Sequence, residues 1–249
     1  MQREREATRD VGLPRPRWRA GAVASMVRVM DVEQALQERR SVRGFLPEPV
    51  KAEVLERVFA QAQRAPSWCN IQPWRVWVAS GATRDRLVAS YIEAAKSGMP
   101  EPELAWPGAY PEPYGAHRKA CGIALYGAMG VTREDKAGRY AAWMRNYEAF
   151  DAPHVAIVGF DTRIGIYAGL DVGCWLQSLL LAAWSEGIAS CAMASLAAYP
   201  GPARAVLNIP EDVSLAFGLA LGFEDTSVAA NACRTERAPL GDNVTFVSE

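Results

Sequence analysis

The chain has 249 residues, 50% of them apolar, 22% charged and 9% aromatic. A chain of this length buries roughly three quarters of the surface it exposes when unfolded, and the composition excludes a disordered or fibrous protein. Basic and acidic residues number 27 and 28, for a net charge of -1, so bulk charge argues for neither nucleic acid, membrane surface nor an acidic partner.

Scarcities narrow the field further. With only two histidines, His117 and His154, a multi-histidine metal site or a histidine relay has little to draw on, and no metal is expected. The five cysteines (Cys69, Cys121, Cys174, Cys191, Cys233) are spread out with no CxxC pair. They read as core thiols of a reduced, cytoplasmic chain. Neither GxGxxG nor a Walker-type loop is present, so any phosphorylated cofactor must be held in another way. The apolar stretches 178–184 and 213–223 fall short of the ~18–20 residues of a spanning helix, and no membrane segment is expected.

In chain order, residues 1–25 carry six arginines and no period; they read as a disordered extension, or as the product of a start placed ahead of Met26 or Met30, with a nucleic-acid arm as the alternative. Asp31 is placed to cap a short helix that ends near Arg39 and Arg40. A helix over 51–64 has the i, i+3, i+4 stripe of a core-facing element. The loop APSWCNIQP leads into a strand at 74–79, and Thr83 opens a helix to about 97. Five prolines in 98–115 exclude a regular element. Helices are expected at 116–128 and 133–150, the latter with Thr132 and Asp135 placed as a capping box. A strand at 153–160 precedes a central, nearly all-apolar helix at 169–186, closed by Gly187. Strands at 188–193 and 213–221 flank a short helix near 202–207, and the extended tail 224–249 holds a possible strand at 244–247. This is one α+β or α/β domain over residues 31–249, whose tail must lie on the domain or on a partner.

Three segments can carry chemistry. Arg39, Arg40, Ser41 and Arg43 gather guanidinium forks and a hydroxyl suited to a phosphate, or else complement the helix dipole and face water. In 65–74, Pro66 and Pro73 stiffen a loop whose Ser67, Asn70 and Gln72 lie between Trp68 and Trp74, a way to hold the edge of a flat heterocycle, or a turn bonding its own backbone. In the tail, Arg234 and Arg237 either reach the same anion or stay exposed.

Together RRSVRGF (39–45), APSWCNIQPWRV (65–76), FDAPHVAIVGF (150–160), residues 169–200 and RTERAPL (234–240) resemble the nitroreductase family of FMN-dependent oxidoreductases, nearest the p-nitrobenzoate reductase branch. The resemblance covers residues 31–249. It implies an α+β nitroreductase-like fold with a central mixed or antiparallel sheet flanked by helices. It also implies a homodimer in which each C-terminal strand joins the other subunit's sheet and non-covalent FMN lies in the interface. Carried over, Arg39, Ser41 and Arg237, with Arg234 in support, would hold the FMN phosphate. Arg40 would contact the pyrimidine side of the flavin, and Arg43 would lie near N1 and O2. Pro66, Ser67, Trp68, Asn70 and Gln72 would approach from the second subunit. Backbone at Met193, Ala194 and Ser195 would lie near N5, and Asn146 is a further contact.

A fixed cation at Arg43 would favour the reduced, anionic flavin. Hydride from NADH or NADPH would reach N5, and a small electron-poor aromatic, a nitroarene or quinone, would take the electrons in the same slot, predicting ping-pong kinetics. No protein acid or base is needed for the hydride step, and water can supply protons. Thr235 stands where many relatives carry lysine, and Ala192 and Met193 where proline and glutamine are common; Met193 beside the ring would alter substrate orientation. Trp106, Tyr110, Tyr114, Trp143 and Phe150 are candidates for the outer pocket. Cys191 and His154 read as packing and structural residues. The rivals are another flavin reaction on the same fold (enone reduction, dehalogenation, biosynthetic oxidation) and a non-catalytic flavin binder.

Overall fold

A computed structural model describes residues 31–248; the expectations for residues 1–25 lie outside the described residues. The elements in chain order are α1 (Val32–Glu38), α2 (Ala52–Ala62), β1 (Arg75–Ser80), α3 (Gly81–Ser97), α4 (Tyr114–Ala128), α5 (Lys136–Met144), β2 (His154–Phe160), α6 (Ile166–Ser185), β3 (Ala189–Met193), α7 (Ala194–Ala197), α8 (Pro200–Leu207), β4 (Ser214–Gly222) and α9 (Leu240–Asn243).

The four strands form one antiparallel sheet in the order β1-β2-β4-β3, with Trp77 opposite Ile157, Ile157 opposite Gly218 and Cys191 opposite Ala220. Every residue of β2 is buried, as a central strand covered on both faces requires. Period-2 alternation divides its side chains between two cores. Val155 and Ile157 join Leu87, Tyr91 and Leu215 on one face, while Ala156 and Val158 join Val58, Trp175 and Leu179 on the other. Helices α3 and α8 cover the first face, α2 and α6 the second.

The α6 helix has 20 residues, about 30 Å at the α-helical rise, and a mean hydropathy of 1.4, so by length and composition it would pass as a membrane span. Here it is a core helix. Trp175 and Leu179 are fully buried, and Asp171 is buried with a backbone N–H to bond. It starts at Ile166, after Gly165 at φ +87°, three residues earlier than the apolar pattern suggests.

Two local expectations are corrected. The helix expected over 133–150 begins at Lys136, where Asp135 alone caps by accepting from Gly138 N–H, and stops at Met144. Its last turn is replaced by Ala149, Phe150 and Asp151, all left-handed (φ +50°, +55°, +67°). Three such residues in a row are strained. Arg145 braces them through ion pairs to Glu148 and Asp151, and Arg84 donates to the Ala152 carbonyl at 2.8 Å. The strand expected at 244–247 is absent from this chain's sheet: the tail makes the helical turn α9, and Phe246 and Val247 extend into solvent.

Candidate active site

The stretch after α1 is extended. Its Val42 N–H donates to the Ser190 carbonyl at 3.0 Å, so it runs beside β3. Alternation in an extended chain sends neighbours to opposite sides: Val42 is fully buried, whereas Ser41 and Arg43 stay half-buried on the other side. There they line a cavity of about 660 Å³ together with Arg39, Arg40, Arg234 and Arg237. The first and third candidate segments, almost two hundred residues apart, therefore meet, and five guanidinium groups share one space.

They are not equivalent. Arg40 is ion-paired with Glu224 and lies over the Trp184 ring at 5.2 Å, so its charge already has a protein partner. Burial, and after it the charge of Arg237, lowers the pKa of Arg39. Two guanidinium groups held within reach of one another are stable together only with an anion or water between them. Arg234 donates to the carbonyls of Asn231 (2.8 Å) and Cys233 (2.9 Å), and Arg237 curls onto Thr235, with Nη1 to Oγ1 at 3.0 Å. The residue that replaces lysine thus orients the tail arginine.

Arg43 also borders a second cavity of about 320 Å³, with Asn146, Trp143 and Phe150 on its wall. Of the expected outer-pocket aromatics, Trp143 and Phe150 stand here; Trp106, Tyr110 and Tyr114 are exposed and border neither this cavity nor the first.

The second segment lies elsewhere. Pro66, Trp68, Asn70 and Gln72 are exposed, Ser67 is half-buried, and none borders the arginine cavity. The loop is nonetheless built rigidly. Asp171 accepts the Trp68 N–H at 3.0 Å, Ser67 Oγ accepts the Gln72 N–H at 3.1 Å, Trp68 packs edge-on to Tyr167, and Cys69, Asn70 and Gln72 are left-handed.

Met193 corrects its expected side-chain role. It is 3% exposed and packs in the core, because it alternates with Ala192, which is the exposed residue of β3. Ala194 is exposed, and Ser195 Oγ is buried with no hydrogen-bond partner among the described residues. Cys191 is buried beside the arginines. Burial pushes its thiol pKa up, only partly offset by Arg43, a bond to Ser41 and Arg39, which suits packing rather than attack. His154 is structural: Nε2 accepts from Val50 N–H at 2.9 Å and Nδ1 faces Ser80 Oγ at 2.6 Å.

Sequence reasoning missed Trp184, Glu224 and Asn231. Trp184 and Glu224 hold Arg40 in place, and Asn231 contacts the Arg43 backbone. None belongs to a motif with a characteristic spacing, so no local signal marks them.

The Nitroreductase family model matches residues 36–223. The chain is 33% identical over 222 residues to a chloronitrobenzene nitroreductase of Comamonas testosteroni, covering 88% of this chain and 97% of that protein. It is 34% identical over 216 residues to a 4-nitrobenzoate reductase of Nocardioides sp., covering 84% and 87%. The crystal structure of the FMN-dependent nitroreductase NfnB of Mycobacterium smegmatis in complex with NADPH superimposes with a TM-score of 0.83 at 33% identity, covering 88% of this chain and all of that one. With the family model spanning most of the described chain and relatives matching nearly end to end, this chain belongs to the nitroreductase family.

Proposed function

We propose that this chain is an FMN-dependent oxidoreductase that takes electrons from NADPH or NADH and reduces nitroarenes, and quinones by the same route. The observation that carries the reading is the convergence of Arg39, Arg43, Arg234 and Arg237 on one cavity, where among the described residues only Arg40 is ion-paired. Guanidinium forks match phosphate oxygens, and Arg39 lies half-buried within the field of Arg237. The donor set therefore fits the FMN phosphate.

When bound, FMN supplies hydride and electron transfer between the nicotinamide and the aromatic acceptor. Arg39, Ser41 and Arg237 hold the phosphate, supported by Arg234. Arg43, between the two cavities, sets its guanidinium at the pyrimidine side, and Asn146 lines the second cavity with its Nδ2 donating to the Trp143 carbonyl at 2.9 Å. His154 and Cys191 move no proton: the first has both ring nitrogens engaged and the second is buried with a raised pKa. Water supplies the protons of the product. One slot serving both substrates gives ping-pong turnover.

A second copy of the chain completes the site. The loop bearing Pro66, Ser67, Trp68, Asn70 and Gln72 is ordered yet faces away from its own arginine cavity. Helix α6 exposes Ile166 and Leu170, β1 is an edge strand, and the extended tail carries Phe246 and Val247 in the open. These surfaces suit a homodimer with FMN in its interface, the tail strand adding to the partner's sheet. Of the cysteines expected as core thiols, Cys69, Cys121 and Cys174 are instead exposed, and exposed free thiols suit the reducing cytoplasm.

The test is an absorption spectrum of the purified protein with added FMN, then anaerobic NADPH or NADH, then 4-nitrobenzoate. The expected sequence is bound flavin absorption, bleaching, and recovery on adding the nitroarene, with parallel double-reciprocal plots in steady state. A colourless protein that takes up no FMN refutes the reading, and a monomer that retains FMN refutes the dimer.

A further inference from the structure

The expected tail arginines lie in a segment that must be held against the N-terminal arginines by something, and one buried side chain does this. Asn231, 5% exposed, sits in the turn Ala229–Ala232 that precedes them. Its Oδ1 accepts the Arg43 backbone N–H at 2.6 Å. Its Nδ2 donates to the Gly44 carbonyl at 2.9 Å and to the Asp225 carbonyl at 2.8 Å. The Gly44 carbonyl also accepts the Asp225 N–H at 3.0 Å, and the Asn231 carbonyl accepts from Arg234 Nη1 at 2.8 Å. The acceptor and both donor hydrogens of one amide are thus used, joining residues 43–44 to residue 225, while the main-chain carbonyl of the same residue holds Arg234. Close approach is built in: a Cβ on Gly44 would lie 2.6 Å from Val228 side-chain carbons.

We propose that Asn231 is a positioning residue that sets the Arg43 guanidinium and the tail arginines in register with one another, so that both halves of the anion site face the same ligand. The inference rests on the FMN reading above. A buried amide with every bond satisfied fixes geometry in a way an apolar filler of the same size does not. Serine or alanine at 231 would leave the Arg43 N–H and the Gly44 carbonyl with fewer partners, freeing residues 41–44 and 225–237 to shift against each other. An ångström of misplacement at a charge-assisted bidentate contact is enough to lose it.

The test compares Asn231→Ala, Asn231→Asp and a remote core control, Val58→Ala, in the full-length protein. Asp keeps the acceptor for Arg43 N–H but turns both donors into acceptors facing carbonyls. Val58 is fully buried on α2 in the opposite core. Three quantities are read: FMN Kd by fluorescence quenching, the midpoint potential of bound FMN, and the denaturation midpoint of the FMN-free protein. The expected result is an FMN Kd raised about tenfold or more in Asn231→Ala, of the order of one charge-assisted bond, together with a lowered flavin potential as the Arg43 cation moves off, and changes of the same sign in Asn231→Asp, whose carboxylate repels both carbonyls. Val58→Ala lowers the denaturation midpoint with Kd and potential unchanged. The proposal is overturned if both Asn231 variants keep wild-type Kd and potential, or if Val58→Ala raises Kd as much at an equal loss of stability. If Asn231→Ala does not fold, Asn231→Asp decides by the same criteria. Wild-type protein that binds no FMN overturns the functional reading itself, and this inference with it.

Discussion

Removing the exposed tail arginine separates binding from folding. Arg237 lowers the pKa of the half-buried Arg39 across the anion cavity, so in the FMN-free protein the two cations repel, while each contributes to holding a phosphate. Arg237→Ala therefore acts with opposite signs on the two properties. Loss of one charge-assisted hydrogen bond costs about 1.5–3 kcal/mol, which is about a 10- to 150-fold rise in FMN Kd at about 1.4 kcal/mol per decade. The FMN-free protein changes by no more than about 0.5 kcal/mol, as for most exposed substitutions, and in the stabilising direction. Arg237→Lys keeps the charge but loses the fork and falls between the two. The assay pairs an FMN titration at fixed ionic strength with urea unfolding of FMN-free protein. Unchanged Kd, or affinity and apoprotein stability falling in proportion, would refute the reasoning, because the first removes Arg237 from the phosphate and the second makes it a structural residue.

Two further outcomes follow from the same geometry. Arg43→Ala should lower the midpoint potential of bound FMN more than it weakens phosphate binding, because the cation lies toward the second cavity; affinity collapsing with the potential unmoved would place that side chain at the phosphate instead. His154 gives the protein an acid limit: burial lowers its pKa below the ordinary value, and protonating Nε2 would cost the hydrogen bond it accepts from the Val50 N–H. The neutral ring is favoured in the folded state, so the unfolded chain binds more protons, and the stability His154 contributes is present above about pH 6.5 and lost as pH falls below it. Urea midpoints at pH 7.5 and 5.5 measure this slope, which His154→Gln should flatten; an unchanged slope would assign acid sensitivity to other groups.

The residues of the arginine cavity were legible in sequence because each cluster is local: RRSVR lies within one turn and one extended stretch, and RTER within four residues. That they meet was not legible from spacing, since the meeting depends on β3 receiving Val42 at Ser190 and on Asn231 pinning the tail. Helix periodicity located α2, α3 and α6 within a few residues, but it carried one helix over 133–150 where only Lys136–Met144 is helical. It has no means to register that Arg145, Glu148 and Asp151 stabilise a left-handed turn by ion pairs. At Met193 the difference is one of phase: strand alternation turns Ala192 outward and buries the methionine. The alternating Val244–Val247 reads as a strand because its residues suit one, but a strand also needs an edge to pair with, and the tail pairs with none in its own sheet.

The anion cavity draws on residue 39 and residue 237 of the same chain, and ribosomes release a protein from its beginning. Every domain element from α1 to β4 can emerge and collapse while the pocket still lacks two of its guanidinium groups and the amide that seats them. The anion cavity is for that reason completed only after the sheet and its helices are out, and a message truncated even a dozen codons short of Arg237 yields that scaffold without Asn231, Arg234 or Arg237.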